Sequence, residues 1–86
     1  MSTIWTNGNL TIVVRVRDEH PPPHVHVIDA DNECLVEIGT SGVRLYRDGK
    51  KRRCTERFKK KALVEVEKRL EDCRTKWRDK HGNEGL

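Results

Sequence analysis

Three histidines lie close together in the sequence, at spacings that suit metal binding or acid–base chemistry. They are His20, His24 and His26, and three prolines separate the first from the second. Side chains two positions apart on a β-strand point the same way, so the rings of His24 and His26 are expected about 7 Å apart. Two imidazoles at that separation can share a zinc ion, and neutral imidazoles can also act as acid and base near neutral pH.

Three interpretations of this histidine segment stay open. In the first, the prolines stiffen the chain, and the histidines are polar surface residues that form local hydrogen bonds. In the second, His24 and His26 are catalytic acid–base residues or contact RNA. In the third, His20 joins them as a metal ligand, although an extended link would place it about 12 Å from His24 unless the chain bends. We therefore expect no cofactor, with zinc as the alternative.

Positive charge is concentrated in one short part of the chain. Residues 1–42 carry two basic and six acidic side chains, residues 43–61 carry ten and two, and residues 62–86 carry six of each. The whole excess therefore lies in residues 43–61, where it precedes and overlaps a predicted helix start. Cations at a helix N-terminus oppose the helix dipole, and a bound polyanion would relieve that repulsion.

The cations predict a binding surface for RNA or for an acidic protein partner, with a solvated charge run as the alternative. Phosphate contacts of this kind give affinity that depends on salt and not on base sequence. The predicted contacts are Arg15, Arg17, Arg44, Arg47, Lys50, Lys51, Arg52, Arg53, Arg57 and Lys60.

The elements that must position these side chains follow from the hydrophobic pattern. Period-two alternation predicts strands at 10–17, 24–29, 34–38 and 43–46, with a further short strand at 3–6. From Thr55 to Gly82 the period becomes helical, which predicts one helix of about 25 residues. Its apolar stripe is Phe58, Ala62, Val66, Leu70, Cys73 and Trp77. The expected fold is α+β, with an antiparallel sheet of three to five short strands followed by one long C-terminal amphipathic helix.

Composition limits the chain to one domain with a thin core. Its 86 residues are 34% hydrophobic and 37% charged, and we expect a single domain over 1–82 with a disordered tail at 83–86. Both a monomer and a homodimer through the C-terminal helix are consistent with this. The three cysteines form neither a disulfide framework nor a CxxC pattern, which predicts reduced thiols in a cytoplasmic protein. The sequence lacks a secretory signal and an apolar run of about 20 residues, so no membrane partner is expected.

The string from His20 to Val27, preceded by Asp18, resembles the signature of a small bacterial domain of unknown function. Members of that family carry an H-x-P-P-H-x-H-V core, a short acidic turn, a strand and a helix that ends near a tryptophan. The resemblance covers about residues 8–82. It implies a gene context like that of toxin–antitoxin pairs, whereas the dense basic run is a departure from the usual pattern.

Three functions follow as hypotheses. The leading one is a basic binding module of toxin–antitoxin type that acts on RNA or on an acidic protein. The second is a phage-type or regulatory inhibitor or adaptor without catalysis. The third is a metal-binding protein that uses the histidines.

Overall fold

The computed structural model describes residues 2–16, 22–39, 42–47, 49–82 and 86. Five strands precede two helices in this part of the chain. Arg17, His20 and most of the tail lie outside the described residues, and so does Asp18. Within the described ranges, no helix is both long enough and apolar enough to cross a bilayer.

The strands form one antiparallel sheet in the order β1-β2-β3-β4-β5. The strands are β1 Ser2–Asn7, β2 Leu10–Val14, β3 His24–Ile28, β4 Glu33–Glu37 and β5 Arg44–Tyr46. Asn7 pairs with Leu10, so a two-residue turn joins β1 to β2, and its first residue, Gly8, has a φ of 61°. Such turns need a positive φ, which glycine adopts without steric cost. The antiparallel sheet is confirmed, although β2 ends at Val14 and not at residue 17.

Both faces of the central strands are buried. Ile12, Val27 and Cys34 are aligned across the register on one face, where they join the core that contains the buried helix residues. On the opposite face Val13 is aligned with His26, and both side chains are almost fully buried. The polar residues that alternate with the valines of β3 are therefore buried too, and do not form a solvent-exposed face.

The C-terminal segment forms two helices, so the prediction of one long helix is wrong. Helix α1 spans Glu56–Lys68 and α2 spans Leu70–His81, with Arg69 between them. The Arg69 N–H donates to the carbonyl of Val66, 3.0 Å away, and the Arg69 guanidinium donates to the carbonyl of Glu65 at 3.2 Å. In an unbroken helix the Glu65 carbonyl would accept from the backbone N–H of Arg69. Here it accepts from the Arg69 side chain instead.

The predicted apolar stripe is confirmed even though the helix is broken. Phe58, Ala62 and Val66 of α1 are buried, as are Cys73 and Trp77 of α2. Helix α1 packs on β4 and β5, whereas α2 packs on β1 and β2. The break lets one amphipathic segment follow the sheet from one edge to the other.

The chain end departs from the predicted tail at its last residue. Leu86 is half-buried and packs against the core, while residues 83–85 lie outside the described part of the chain. The C-terminal residue is thus part of the packed body.

We predict that Arg69 stabilises the helix break. Its guanidinium carbon lies 3.6 Å from the centre of the Trp5 ring, and the same group forms an ion pair with Glu65 at 2.7 Å. Arg69→Ala should lower the free energy of unfolding by about 1–2 kcal/mol, measured by urea denaturation. The control is Arg78→Ala, at an exposed position of α2. Equal stability of the two variants would show that the stacked guanidinium contributes nothing.

Candidate functional site

The two predicted catalytic histidines are buried in the structure. The His24 side chain is 1% exposed and the His26 side chain 2% exposed. Their ring centroids lie 5.4 Å apart, as expected for neighbours on one face of a strand. The expectation that they are surface residues is therefore wrong. Their role as acid and base stays a prediction, but rings this deep have no direct access to a large substrate.

The hydrogen-bond partners of the two rings fix which nitrogen carries the proton. His24 Nδ1 lies 2.9 Å from the carbonyl oxygen of Pro22, and His26 Nδ1 lies 2.7 Å from a carboxylate oxygen of Glu33. Carbonyl and carboxylate oxygens only accept, so each Nδ1 donates. The pair therefore anchors the end of the proline segment and the carboxylate of Glu33.

Ring contacts connect His24 to β5 and to α2. The ring of His24 lies 4.6 Å from the ring of Tyr46 in β5 and 5.5 Å from the ring of Trp77 in α2. Trp77 in turn lies 4.1 Å from the ring of His81, whose Nε2 donates to the carbonyl of Arg15 at 2.7 Å. The histidines thus help to fasten α2 to the sheet.

The carboxylate of Glu33 is the centre of a small ionic network. Besides His26, it contacts the guanidinium groups of Arg15 at 3.0 Å and Arg52 at 3.5 Å. Partial burial alone would raise the pKa of Glu33, but the hydrogen bond from His26 and the charges of Arg15 and Arg52 outweigh it. The pKa of Glu33 therefore lies below its ordinary value, and the group is ionised at neutral pH.

A disulfide joins Cys34 of β4 to Cys54, so the prediction of three reduced thiols is wrong. The two Cα atoms lie 5.4 Å apart, within the range that disulfides require. Cys73 is the free thiol and is buried in the core, where burial raises its pKa to about 12. Sequence spacing gave no sign of this pairing, because the two residues meet only after β4 and the start of α1 are in place.

Backbone hydrogen bonds fasten the same junction. The N–H of Glu33 donates to the carbonyl of Arg53 at 2.8 Å, and the N–H of Thr55 donates to the side-chain oxygen of Asn32 at 3.3 Å. Thr55 is the N-cap of α1, and its hydroxyl accepts from the N–H of Phe58. The helix start and the end of the basic run are therefore held against β4.

A cleft of about 660 Å³ lies beside this junction. Residues of β4 and β5 line it, together with residues of the chain that leads into α1. We call this latter segment the wall of the cleft. Among the described residues, six cationic side chains and the carboxylate of Glu33 line the cleft. The cations are Arg47, Lys50, Lys51, Arg52, Arg53 and Lys59. We call this feature the basic cleft.

The basic cleft contains half of the predicted binding residues. Arg47, Lys50, Lys51, Arg52 and Arg53 line it, and Lys59, which the prediction omitted, lines it as well. Lys59 directly follows Phe58, which belongs to the predicted apolar stripe of the helix. A cation beside that stripe was the sequence signal that could have placed Lys59 at the edge of the core.

Four of the other predicted contacts lie outside the lining of the basic cleft. Arg57 and Lys60 are exposed on α1, outside the cleft lining. Arg44 forms an ion pair with Glu37, and Arg15 is engaged by Glu33. Arg17 falls outside the described residues.

The model of a family described as "Domain of unknown function (DUF4160)" matches residues 10–80. The chain belongs to the DUF4160 family. The match covers the chain from β2 to α2, so it contains both buried histidines, the disulfide and the basic cleft. No curated protein and no solved structure matches the chain significantly.

The zinc site and the homodimer stay predictions for this DUF4160 chain. The described residues contain no group of three His, Cys, Asp or Glu side chains placed to hold a metal, and His20 lies outside them. The large hydrophobic side chains exposed in the same part of the chain are Val16 and Val64. Val16 follows the end of β2 and Val64 lies on α1, so neither is on α2.

We predict that the buried imidazoles stabilise the fold of this DUF4160 domain. His26→Ala would leave a cavity and remove the hydrogen bond to Glu33, so the free energy of unfolding should fall by about 2–4 kcal/mol. Urea denaturation measures this change, and Lys80→Ala at an exposed position is the control. A loss for His26→Ala no larger than that of the control would contradict the burial of the ring.

We also predict a specific pH dependence for the Glu33 network. A carboxyl whose pKa is lower in the folded than in the unfolded protein stabilises the fold above its unfolded pKa, and the effect is lost as pH falls. Wild type should therefore exceed Glu33→Gln in stability at neutral pH. The difference should shrink from about the ordinary value of 4.5 downwards, through the lower folded pKa.

Urea denaturation of both proteins between neutral and acidic pH measures that difference. Glu67→Gln, at an exposed position of α1, is the matched control and should track wild type throughout. A stability difference for Glu33→Gln that stays constant with pH would show that its charge is not the stabilising feature.

Proposed function

We propose that the chain is a small binding module that holds the phosphate backbone of RNA in its basic cleft, as one member of a toxin–antitoxin pair. The observation that carries the proposal is the cleft itself, whose described lining contains six cationic residues and the carboxylate of Glu33. RNA in such a pair is a cytoplasmic partner, so cytoplasmic location is part of the proposal.

The carboxylate of Glu33 does little to neutralise the cations of the cleft. Glu33 is already engaged by His26, Arg15 and Arg52, and it offsets only part of the nearby positive charge. Arg53 and Lys51 are exposed and lie on the same short stretch as Arg52. Like charges held this close repel one another, and phosphate groups would replace that repulsion with attraction.

The aromatic content of the cleft favours backbone contacts over base stacking. Tyr46 is the aromatic residue in the described lining, and its ring is half-buried and packs on the ring of His24. Proteins that read or grip bases usually offer exposed aromatic rings as stacking platforms. We therefore propose binding with little base preference.

Cleavage of RNA is not part of the proposal. The imidazoles that could act as acid and base are buried, and their Nδ1 atoms hold Pro22 and Glu33. We propose instead that the proline–histidine string serves as the family signature because it builds this part of the core.

Salt dependence of RNA binding tests the proposal. A fluorescent single-stranded RNA of about 15 nucleotides is titrated with protein at several salt concentrations, and anisotropy gives the affinity. The slope of log affinity against log salt should weaken by about 0.7 for each phosphate contact removed. The cleft variant is Lys51→Gln with Arg53→Gln, at two exposed positions.

The matched control is Arg78→Gln with Lys80→Gln, which removes the same charge from exposed positions of α2. The cleft variant should lose affinity and slope, while the control should retain the wild-type slope. Equal losses in both variants would overturn the cleft as the binding site. Tighter binding of an acidic polypeptide, such as polyglutamate, than of RNA would replace RNA with an acidic protein partner.

A further inference from the structure

The disulfide is placed where it controls the walls of the basic cleft. Cys34 lies in β4, and Cys54 ends the basic run directly before the N-cap of α1. Both cysteines line the cleft. The sequence separation is 20, and the loop that the bond closes contains β5 and four consecutive basic residues, 50–53.

We infer that Cys34–Cys54 is a reversible thiol–disulfide site, that its co-reactant is an anionic low-molecular-weight thiol, and that its oxidised form orders the cleft wall. The consequence for RNA affinity rests on the proposed function, whereas the site itself does not.

The two sulfurs differ in access. Cys34 is 2% exposed, while Cys54 is half-buried at the edge of the core. An incoming thiolate therefore attacks the sulfur of Cys54. The disulfide bond breaks, and Cys34 leaves as a thiolate that takes up a proton.

A second small thiol completes the reaction. Its thiolate attacks the small-thiol sulfur of the mixed disulfide, the bond to Cys54 breaks, and Cys54 leaves as a thiolate that takes up a proton. Two small thiols are oxidised to one small disulfide, and the protein disulfide is reduced to two thiols. Two electrons and two protons pass to the protein, and the reverse sequence restores the bond.

The surroundings of Cys54 favour reduction. Arg53, Arg52 and Lys59 line the same cleft, and Cys54 lies next to the N-terminus of α1. Positive charge and a helix N-terminus stabilise a thiolate, and a disulfide whose reduced form is stabilised is the easier one to reduce. The same cations attract an anionic thiol such as glutathione.

Without the covalent bond, weaker ties hold the wall. They are the backbone hydrogen bond from Glu33 to Arg53, the ion pair between Arg52 and Glu33, and the bond from Thr55 to Asn32. A less ordered wall has to be immobilised when a ligand binds, and this cost lowers affinity.

Three measurements test the inference on the full chain. Protein purified without reductant is denatured and alkylated, and its mass should show one modified cysteine, Cys73. Native protein is then incubated with millimolar reduced glutathione, with uncharged 2-mercaptoethanol as a comparison, and the reduced fraction is followed by alkylation. Glutathione should lose more of its rate than 2-mercaptoethanol when salt is raised, because the cleft attracts its charge.

The third measurement compares the oxidised protein, the reduced protein and the Cys34→Ser/Cys54→Ser variant. Trypsin should cut at 50–53 faster in both reduced forms, while its cuts in α2 stay unchanged. RNA affinity should fall about five-fold or more on reduction, which corresponds to ordering one or two side chains. The reduced wild-type protein keeps the comparison valid if the double variant fails to fold.

The outcomes separate the two proposals. A disulfide that resists glutathione in the native protein overturns the reversible site, and reduced and oxidised forms with the same trypsin sensitivity overturn the ordering of the cleft wall by the disulfide. If the two forms differ in trypsin sensitivity but neither binds RNA, the proposed function fails and the thiol–disulfide site stands. If RNA binds equally to both forms, the proposed function stands and the control of affinity by the disulfide is overturned.

Discussion

The carboxylate of Glu33 joins three parts of the molecule that are far apart in sequence. It accepts hydrogen bonds from His26 of β3 and from Arg15 after β2, and it forms an ion pair with Arg52 of the basic run. The cost of partly burying this charge is offset because these three groups surround it. The backbone of the same residue holds Arg53, and the next residue forms the disulfide. Glu33 and Cys34, which are adjacent in β4, therefore hold the segment that leads into α1 against the sheet.

The chemistry of histidine suits this core better than that of an aromatic residue. A phenylalanine at position 26 could fill the same space, but it could not donate to Glu33. His24 meets two demands at once, since its Nδ1 binds the carbonyl of Pro22 while its ring packs between Tyr46 and Trp77. A pattern that suggests catalysis in the sequence can therefore be explained by hydrogen bonds and packing inside the fold.

The parts of the fold that depend on local pattern could be predicted. Alternation located the strands, and the three-to-four-residue spacing identified the helical residues that are buried. The predictions that failed concern features that depend on contacts between residues distant in sequence. The helix break involves Arg69 stacked on Trp5, the disulfide requires Cys54 to meet β4, and the histidines are buried by partners on other elements. Half of the predicted binding residues line one cleft because the basic run is contiguous, whereas Arg44 and Arg15 were assigned by charge alone and are paired within the fold.

The positions of the cations support the proposed binding surface over a charge run that serves solubility alone. Charges needed only for solubility are least costly when they are dispersed, because repulsion between neighbours falls with distance. Here six cations share one cleft, and a disulfide, a partly buried ion pair and a capped helix start hold its walls in place. Preorganised charges lose little freedom when a ligand arrives, so in the proposed complex attraction to the phosphates would replace this repulsion at a small entropic cost. A fold that holds like charges together in this way supports the proposal that the cleft takes a ligand of opposite charge.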